Sequence, residues 1–354
     1  MEFQINQQRV PINLIWLRNN CRCENCFNDI TKENKLTETL LHVAVKHYSI
    51  DGNDVHVVWN DDHLSKYDIN WLHSQQRPEN RPNLITWSGS EIESQISIVE
   101  SEKAELTHDQ ISKLVESILQ FGVGMVRNVL PSTEATEKIC KHIGPIMNTF
   151  YGSMWEVVQS SFSVYKDTAY TDKVVGVHTD NTYAIEPAGL MAFHGLEPAQ
   201  QGGETVLVDG FRAAELLKIQ NQKHYDNLRT VPIEWHYNSD EFLHINAIPI
   251  INTSKVTGEL EQIRYNTYHR SSRAPFTAKS NLDDYYASLK AFENILHDPK
   301  LAWNLSLQPG TIIFINNWRL LHGRRQFIGR RRLVGCYQSM NTLLSRGRYF
   351  KLIK

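Results

Sequence analysis

No apolar run in the 354 residues approaches the roughly 20 needed to cross a bilayer, which argues against a membrane-spanning protein. A surplus of charge is also missing: 37 basic and 39 acidic residues give a formal charge of -2, and this balance offers no general attraction to nucleic acid. The one strong basic cluster, "GRRQFIGRRR", reads otherwise as a salt-bridged strand and loop. The opening "MEFQINQQRVPINLIWLRNN" has neither the basic and apolar regions of a secretory signal nor the Arg/Ser-rich character of a transit peptide, so the cytoplasm is the expected compartment. Repeats and low-complexity segments are absent. Five cysteines, three of them packed into "CRCENC", are too few and too uneven for a disulfide framework.

That tight, odd-numbered cluster suits a metal instead. Cys21, Cys23 and Cys26 supply three ligands, and His56, His63 and His73 are each open as a fourth. Around them, "DVHVVWN" alternates like a strand, and "HSQQRPENRPN" reads as a linker or long turn, so a small domain over residues 1–85 is expected. Residues 86–354 form the second domain. It opens with a helix on "LTHDQISKLVESILQFG", where Thr107 and Gln110 have capping-box spacing, Ile111, Leu114, Val115, Ile118 and Leu119 make one apolar stripe, and Gly122 ends the run. A second helix follows on "STEATEKICKHIG", with Cys140 on its inward face as a core residue. From about residue 145 short strand-like segments dominate: "SFSVYKD", "GLMAFHG", "ETVLVDG", "LRTVPIEWHY", "QIRYNTYH", "NLSLQPG", "TIIFINN" and "RRLVGCYQS". Helices interrupt them at "GFRAAELLKIQ" and "LDDYYASLKAFENILHD". The expected class is mainly β with flanking helices, a sandwich or barrel.

Within it, "GVHTDNTY" places His178 and Asp180 two apart, so an extended backbone directs an imidazole and a carboxylate to one side. The pair alone is weak, because polar residues at strand ends are common. A partner stands in "TIIFINNWRLLHGRR", where an apolar strand leads to His322. Two histidines and one carboxylate leave three octahedral positions open, as in non-haem iron oxygenases, and those positions accept a bidentate 2-oxoacid together with O₂. The distal carboxylate of such a cosubstrate needs a cation. Arg331, nine positions after His322, fits that need as a bidentate fork, with Arg324 and Arg325 as rivals and Arg330 and Arg332 expected to face away. Thr205 in "QGGETVLVDG" is a second candidate contact.

Together "IWLRNNCRCENC", "YGSMWEV", "DTAYTD", "HTDNTY", "GGETVLVDGF", "RYNTYHRS", "NNWRLLHGR" and "GCYQSMNTLL" resemble the 2-oxoglutarate-dependent oxygenases of the carnitine-biosynthesis branch, over nearly the whole chain. The resemblance implies a distorted double-stranded β-helix (jelly roll) preceded by a small zinc-binding α+β domain. It implies iron(II) on His178, Asp180 and His322, 2-oxoglutarate on Arg331, and a structural zinc on Cys21, Cys23, Cys26 and His63. Asn19 departs from the branch's usual "WLRDN", which is expected to weaken a local cap without touching the ligands.

Tyr151, Trp155, Tyr170 and Tyr337 match cage positions for a trimethylammonium group, while Asp167 and Asn266 match contacts to the substrate's other end. The wording of the motifs leans toward hydroxylation of N6-trimethyllysine at C3, with release of succinate and CO₂, as the first step of carnitine biosynthesis. γ-Butyrobetaine hydroxylation is the alternative, and a catalytically inactive module that binds trimethyllysine is a second. The resemblance further implies a homodimer, ascorbate as reductant, and the mitochondrial matrix as the alternative compartment.

Overall fold

The computed structural model describes residues 2–5, 8–75, 83–158, 168–239, 241–273 and 282–353. The expected strand "SFSVYKD" and residues 76–82 of the expected linker lie outside the described residues. The chain divides into two compact units, Met1–Asn80 and Arg81–Lys354.

In the first unit a short helix, α1 (Leu14–Asn19), is capped by Asn13, whose side chain accepts from the Trp16 amide at 2.9 Å. A three-stranded antiparallel sheet follows: β1 (Val45–Asp51), β2 (Asp54–Trp59) and β3 (Leu64–Asp68), then α2 (Ile69–Gln75). Period-two alternation sends Val55, Val57 and Trp59 into a core with Leu17, Tyr67 and Leu72, and leaves His56 exposed. Asn19 anchors Leu40 from both sides, donating to its carbonyl and accepting from its amide at 2.8 and 2.9 Å. An aspartate there could not donate, so the expected local weakening is not what the fold shows.

The strands of the second unit are β4 (Ile98–Glu100), β5 (Val123–Arg127), β6 (Trp155–Val158), β7 (Val175–His178), β8 (Leu190–Glu197), β9 (Thr205–Asp209), β10 (Trp303–Leu305), β11 (Ile312–Asn316), β12 (Leu320–Arg324) and β13 (Arg332–Gln338). Six form one sheet in the order β6-β13-β8-β11-β5-β4, and four form another in the order β7-β12-β9-β10. All of these pairs are antiparallel except β4 with β5.

Both faces of each sheet are covered, which explains why "LMAF", "TVLV" and "IIFI" read as continuous apolar runs. Met191, Ile313 and Ile315 point between the sheets and pack with Leu207, Trp303 and Leu320. Their neighbours Leu190, Ala192, Ile312 and Phe314 point outward onto α3 (His108–Phe121), α4 (Thr133–Ile143) and the final helix. On the far side Val206, Val208 and Leu321 pack against α5 (Gly210–Gln220), α6 (Gln222–Thr230) and α7 (Leu282–Leu296). The final helix is α8 (Met340–Tyr349).

Helix α3 has the expected capping box, and Gly122 ends it in the left-handed region at φ +81°. Helix α6 was not legible: it is polar, buries only Tyr225 and Leu228, and starts because the Asn221 side chain accepts from the Lys223 and His224 amides. The strand expected over "LRTVPIEWHY" therefore begins only at Ile233. A second difference bears on the site. Strand β11 ends at Asn316 in the large sheet, and the "NWR" turn carries the chain to the small sheet, where a separate strand delivers His322.

Candidate active site and metal centres

Antiparallel register sets His178, the last residue of β7, opposite His322 in the middle of β12. Gly323 makes that approach possible: a Cβ there would meet the Val175 carbonyl at 2.6 Å. The two rings lie 4.3 Å apart, and Asp180 Oδ1 lies 3.2 Å from His178 Nε2 and 3.7 Å from His322 Nε2. An octahedral ion with bonds of about 2.1 Å holds neighbouring donors roughly 3 Å apart, so the set fits one metal.

The surroundings prepare these atoms. His178 Nδ1 sits 2.8 Å from the Gly176 carbonyl, which makes Nδ1 the protonated nitrogen and leaves the Nε2 lone pair for a ligand. Burial would raise the Asp180 carboxyl, but His322, His178 and the Tyr337 hydroxyl outweigh it and hold it well below the usual carboxylate range. Burial, helped by His178, pushes His322 down to about 3. At neutral pH the site therefore presents a carboxylate and a neutral His322 imidazole, the forms a metal binds.

Asp180 itself stands in the turn after β7, and Asn317 fixes its backbone. The Asn317 side chain accepts from Asp180 N at 2.8 Å and donates to Asp180 O at 3.1 Å and Ala188 O at 2.8 Å. Tyr337 donates its hydroxyl to Asp180 Oδ2 at 2.6 Å. Arg264 secures the following turn, donating to the carbonyls of Thr182, Ala184 and Ile185 at 3.2, 2.6 and 2.9 Å. Neither Asn317 nor Arg264 had a signal in the sequence, because each acts on backbone atoms of a remote loop.

The triad borders a cavity of about 140 Å³ that also takes in Arg331, Thr205 and Asn266. The five neighbouring arginines are sorted by their partners. Arg330 pairs with Glu197, Arg332 with Glu156, exposed Arg325 bonds Asn304, and Arg324 donates to three backbone carbonyls. Among the described residues no hydrogen bond or carboxylate engages the Arg331 side chain. Burial, with Arg324 adding, lowers it to about 10, so it keeps its charge at neutral pH. A half-buried guanidinium, unpaired among the described residues and facing a cavity, is a site for an anion.

Tyr151, Trp155, Tyr170 and Tyr337 all line this cavity. The Trp155 ring lies 5.2 Å from that of Tyr337 and is seated over Gly335, where an added Cβ would stand 2.3 Å from Trp155 Cη2. Tyr183, Tyr268 and His269 also line the cavity and were not expected. Asn266 Nδ2 donates to Thr179 O at 3.3 Å and its Oδ1 accepts from Tyr268 N at 2.9 Å, so both ends of the amide already hold backbone. Asp167 lies outside the described residues.

In the first unit, His63 Nε2 lies 3.3, 3.6 and 3.7 Å from the sulfurs of Cys21, Cys23 and Cys26. A tetrahedral ion with bonds of about 2.3 Å to sulfur and 2.0–2.1 Å to nitrogen separates such donors by about 3.6 Å, so the four residues fit one ion. Arg18 donates to Cys26 Sγ at 3.7 Å and to Asp61 at 2.8 Å, and Ser65 donates to Cys21 Sγ at 3.0 Å.

Comparison with known proteins agrees with this arrangement. Residues 88–337 match the family described as taurine catabolism dioxygenase TauD, TfdA, and residues 3–73 match the N-terminal region described as gamma-butyrobetaine hydroxylase-like. Trimethyllysine dioxygenase, mitochondrial, of Homo sapiens is 33% identical over 96% of this chain and 82% of its own length, and that of Rattus norvegicus is 32% identical over 99% and 86%. In fold, a putative alpha-ketoglutarate-dependent taurine dioxygenase from Burkholderia xenovorans superposes with a TM-score of 0.53 at 14% identity, covering 73% of this chain and 92% of that one. Among the described residues no helix is long and apolar enough to cross a membrane. The second unit has the double-stranded β-helix architecture of these enzymes, and the chain belongs to the TauD/TfdA dioxygenases, in the trimethyllysine dioxygenase family.

Proposed function

We propose that the protein hydroxylates N6,N6,N6-trimethyl-L-lysine at C3, consuming 2-oxoglutarate and O₂ and releasing succinate and CO₂, the first step of carnitine biosynthesis. The observation that carries this reading is the nearly full-length similarity to trimethyllysine dioxygenases, joined to a cavity where aromatic faces, the triad and Arg331 meet. His178, Asp180 and His322 would hold iron(II). When bound, iron with 2-oxoglutarate supplies the activation of O₂ that a polypeptide lacks.

The chain's own residues do the rest. Arg331 and Thr205 bind the distal carboxylate of 2-oxoglutarate, Tyr337 and Asn317 keep Asp180 in place, and the aromatic faces hold the trimethylammonium group by cation–π attraction. Asp167 is assigned to the amino-acid end of the substrate, and so is Asn266, through the Nδ2 hydrogen that its bond to Thr179 does not use. The domains in this reading are residues 1–85 and 86–354, with ascorbate as reductant. The assembly is a homodimer, which light scattering tests. Fractionation decides between the cytoplasm and the mitochondrion, the compartment named for the mammalian relatives.

Succinate formation by iron-loaded protein is expected with trimethyllysine and not with γ-butyrobetaine. Formation with γ-butyrobetaine alone overturns the substrate assignment in favour of the hydroxylase whose N-terminal region residues 3–73 resemble. Gly335→Ala puts a methyl group 2.3 Å from Trp155 Cη2 and 2.7 Å from the Ala192 carbonyl, and in protein that keeps its cooperative melt it is expected to raise the KM for the trimethylammonium substrate about tenfold, the share of one aromatic face. An unchanged KM would remove Trp155 from the cage. Zinc on Cys21, Cys23, Cys26 and His63 predicts one zinc per chain by metal analysis, lost in Cys26→Ser; full zinc in that variant contradicts the site.

A further inference from the structure

Arg324 stands two residues after His322 on β12, is 7% exposed, and lies against the same cavity as Arg331. No carboxylate pairs with it among the described residues. Its Nη1 donates to Ala169 O at 2.8 Å, and its Nη2 donates to Thr171 O at 2.6 Å and Lys173 O at 2.8 Å. Burial lowers its pKa, opposed by Asp172 and Tyr268. Three carbonyls from alternate residues thus converge on one guanidinium, a fan that its planar set of donors fits and a single ammonium does not. The Phe327 amide adds one bond, to Asp172 O at 3.2 Å, and the Phe327 ring lies 4.9 Å from the Arg324 guanidinium carbon.

The segment held this way carries Tyr170 between the first two carbonyls, and Tyr170 lines the cavity. We propose that Arg324 is a positioning residue for the substrate: by gripping the backbone at 169, 171 and 173 it sets the Tyr170 ring against the cavity, from the strand that also carries His322. A buried guanidinium is costly to place, and here its hydrogen bonds go to the backbone that flanks Tyr170. The arrangement makes sense where the ring it orients has work to do. Arg324 is thereby distinguished from Arg331, whose guanidinium is left for the cosubstrate. The inference rests on the proposed reading of Tyr170 as a cation contact.

The test compares full-length wild type with Arg324→Lys, Tyr170→Ala and the double variant, all iron-loaded. Lysine keeps the charge beside Arg331 but loses the fan. Arg324→Lys is expected to raise the KM for trimethyllysine about tenfold, the contribution of one aromatic face, and to leave the KM for 2-oxoglutarate within about threefold. The double variant is expected to bind trimethyllysine no worse than Tyr170→Ala alone, since the arginine acts through that ring. Additive losses, an unchanged substrate KM, or an equal loss for 2-oxoglutarate each overturn the positioning role. Loss of the cooperative melt in Arg324→Lys also overturns it, by making the arginine a clamp for the whole fold. If wild type turns over only γ-butyrobetaine, the substrate reading fails instead, and the same four proteins are compared on that substrate.

Discussion

Asp180→Ala is expected to leave a folded protein that retains no iron and forms no measurable succinate. The fold survives because Asn317 grips the Asp180 amide and carbonyl, which alanine keeps. The loss is chemical: two imidazoles 4.3 Å apart remain, without the carboxylate that lies against both. The effect should exceed the roughly 10–100-fold cost of losing a residue that only supports a ligand. Tyr337→Phe provides that comparison, since it removes the hydroxyl 2.6 Å from Asp180 Oδ2 and keeps the ring. Iron content and succinate yield measured on both variants check the ranking. An Asp180→Ala protein that holds stoichiometric iron would mean that the metal sits elsewhere.

Arg319→Met is expected to lower the stability of the protein by about 3–5 kcal/mol, the cost of leaving one member of a buried ion pair unpaired. The Arg319 side chain is fully buried, with Nε donating to Asp209 Oδ1 at 3.1 Å and Nη2 to Oδ2 at 2.7 Å. Its remaining bonds reach Gln120 O and Ile85 O at 2.7 and 2.6 Å. Asp209 in turn caps α5 and accepts from the Trp87 amide, so one pair ties β9, α5 and the turn before β12 to the segment that precedes β4. Against a typical total of about 5–15 kcal/mol, that loss is a large fraction. Adding Asp209→Asn should recover part of it, because the cap survives and no unpaired charge remains. Urea unfolding measures both. A loss under about 1 kcal/mol in Arg319→Met would place the pair among interactions that hardly matter.

Much of this was legible in residue order because the informative residues act locally or by strict period. The continuous apolar runs of β8, β9 and β11, the capping box of α3 and the spacing of "HTD" are properties of short windows. The iron and zinc donor sets could be proposed because His, Asp and Cys are restricted chemistries, and the fold brings each set together. What escaped was the apparatus that acts across distance. Asn317 reaches a backbone 137 positions away, and Arg264 and Arg324 hold carbonyls of loops about 80 and 150 positions away. Carbonyls are common to every residue, so nothing in the partner segment marks the contact. The same holds for Tyr337, which was expected as an aromatic face and also steadies Asp180 through its hydroxyl. Arg331 was preferred over Arg324 from the resemblance, and what residue order did not show is the three backbone carbonyls that occupy Arg324.

The most direct measurement is the position of the new oxygen after turnover of iron-loaded protein with 2-oxoglutarate and trimethyllysine under labelled O₂. One labelled oxygen is expected on C3 of trimethyllysine and one in succinate, in equal amounts. Labelled succinate formed beside unmodified trimethyllysine, or hydroxylation confined to γ-butyrobetaine, would contradict it.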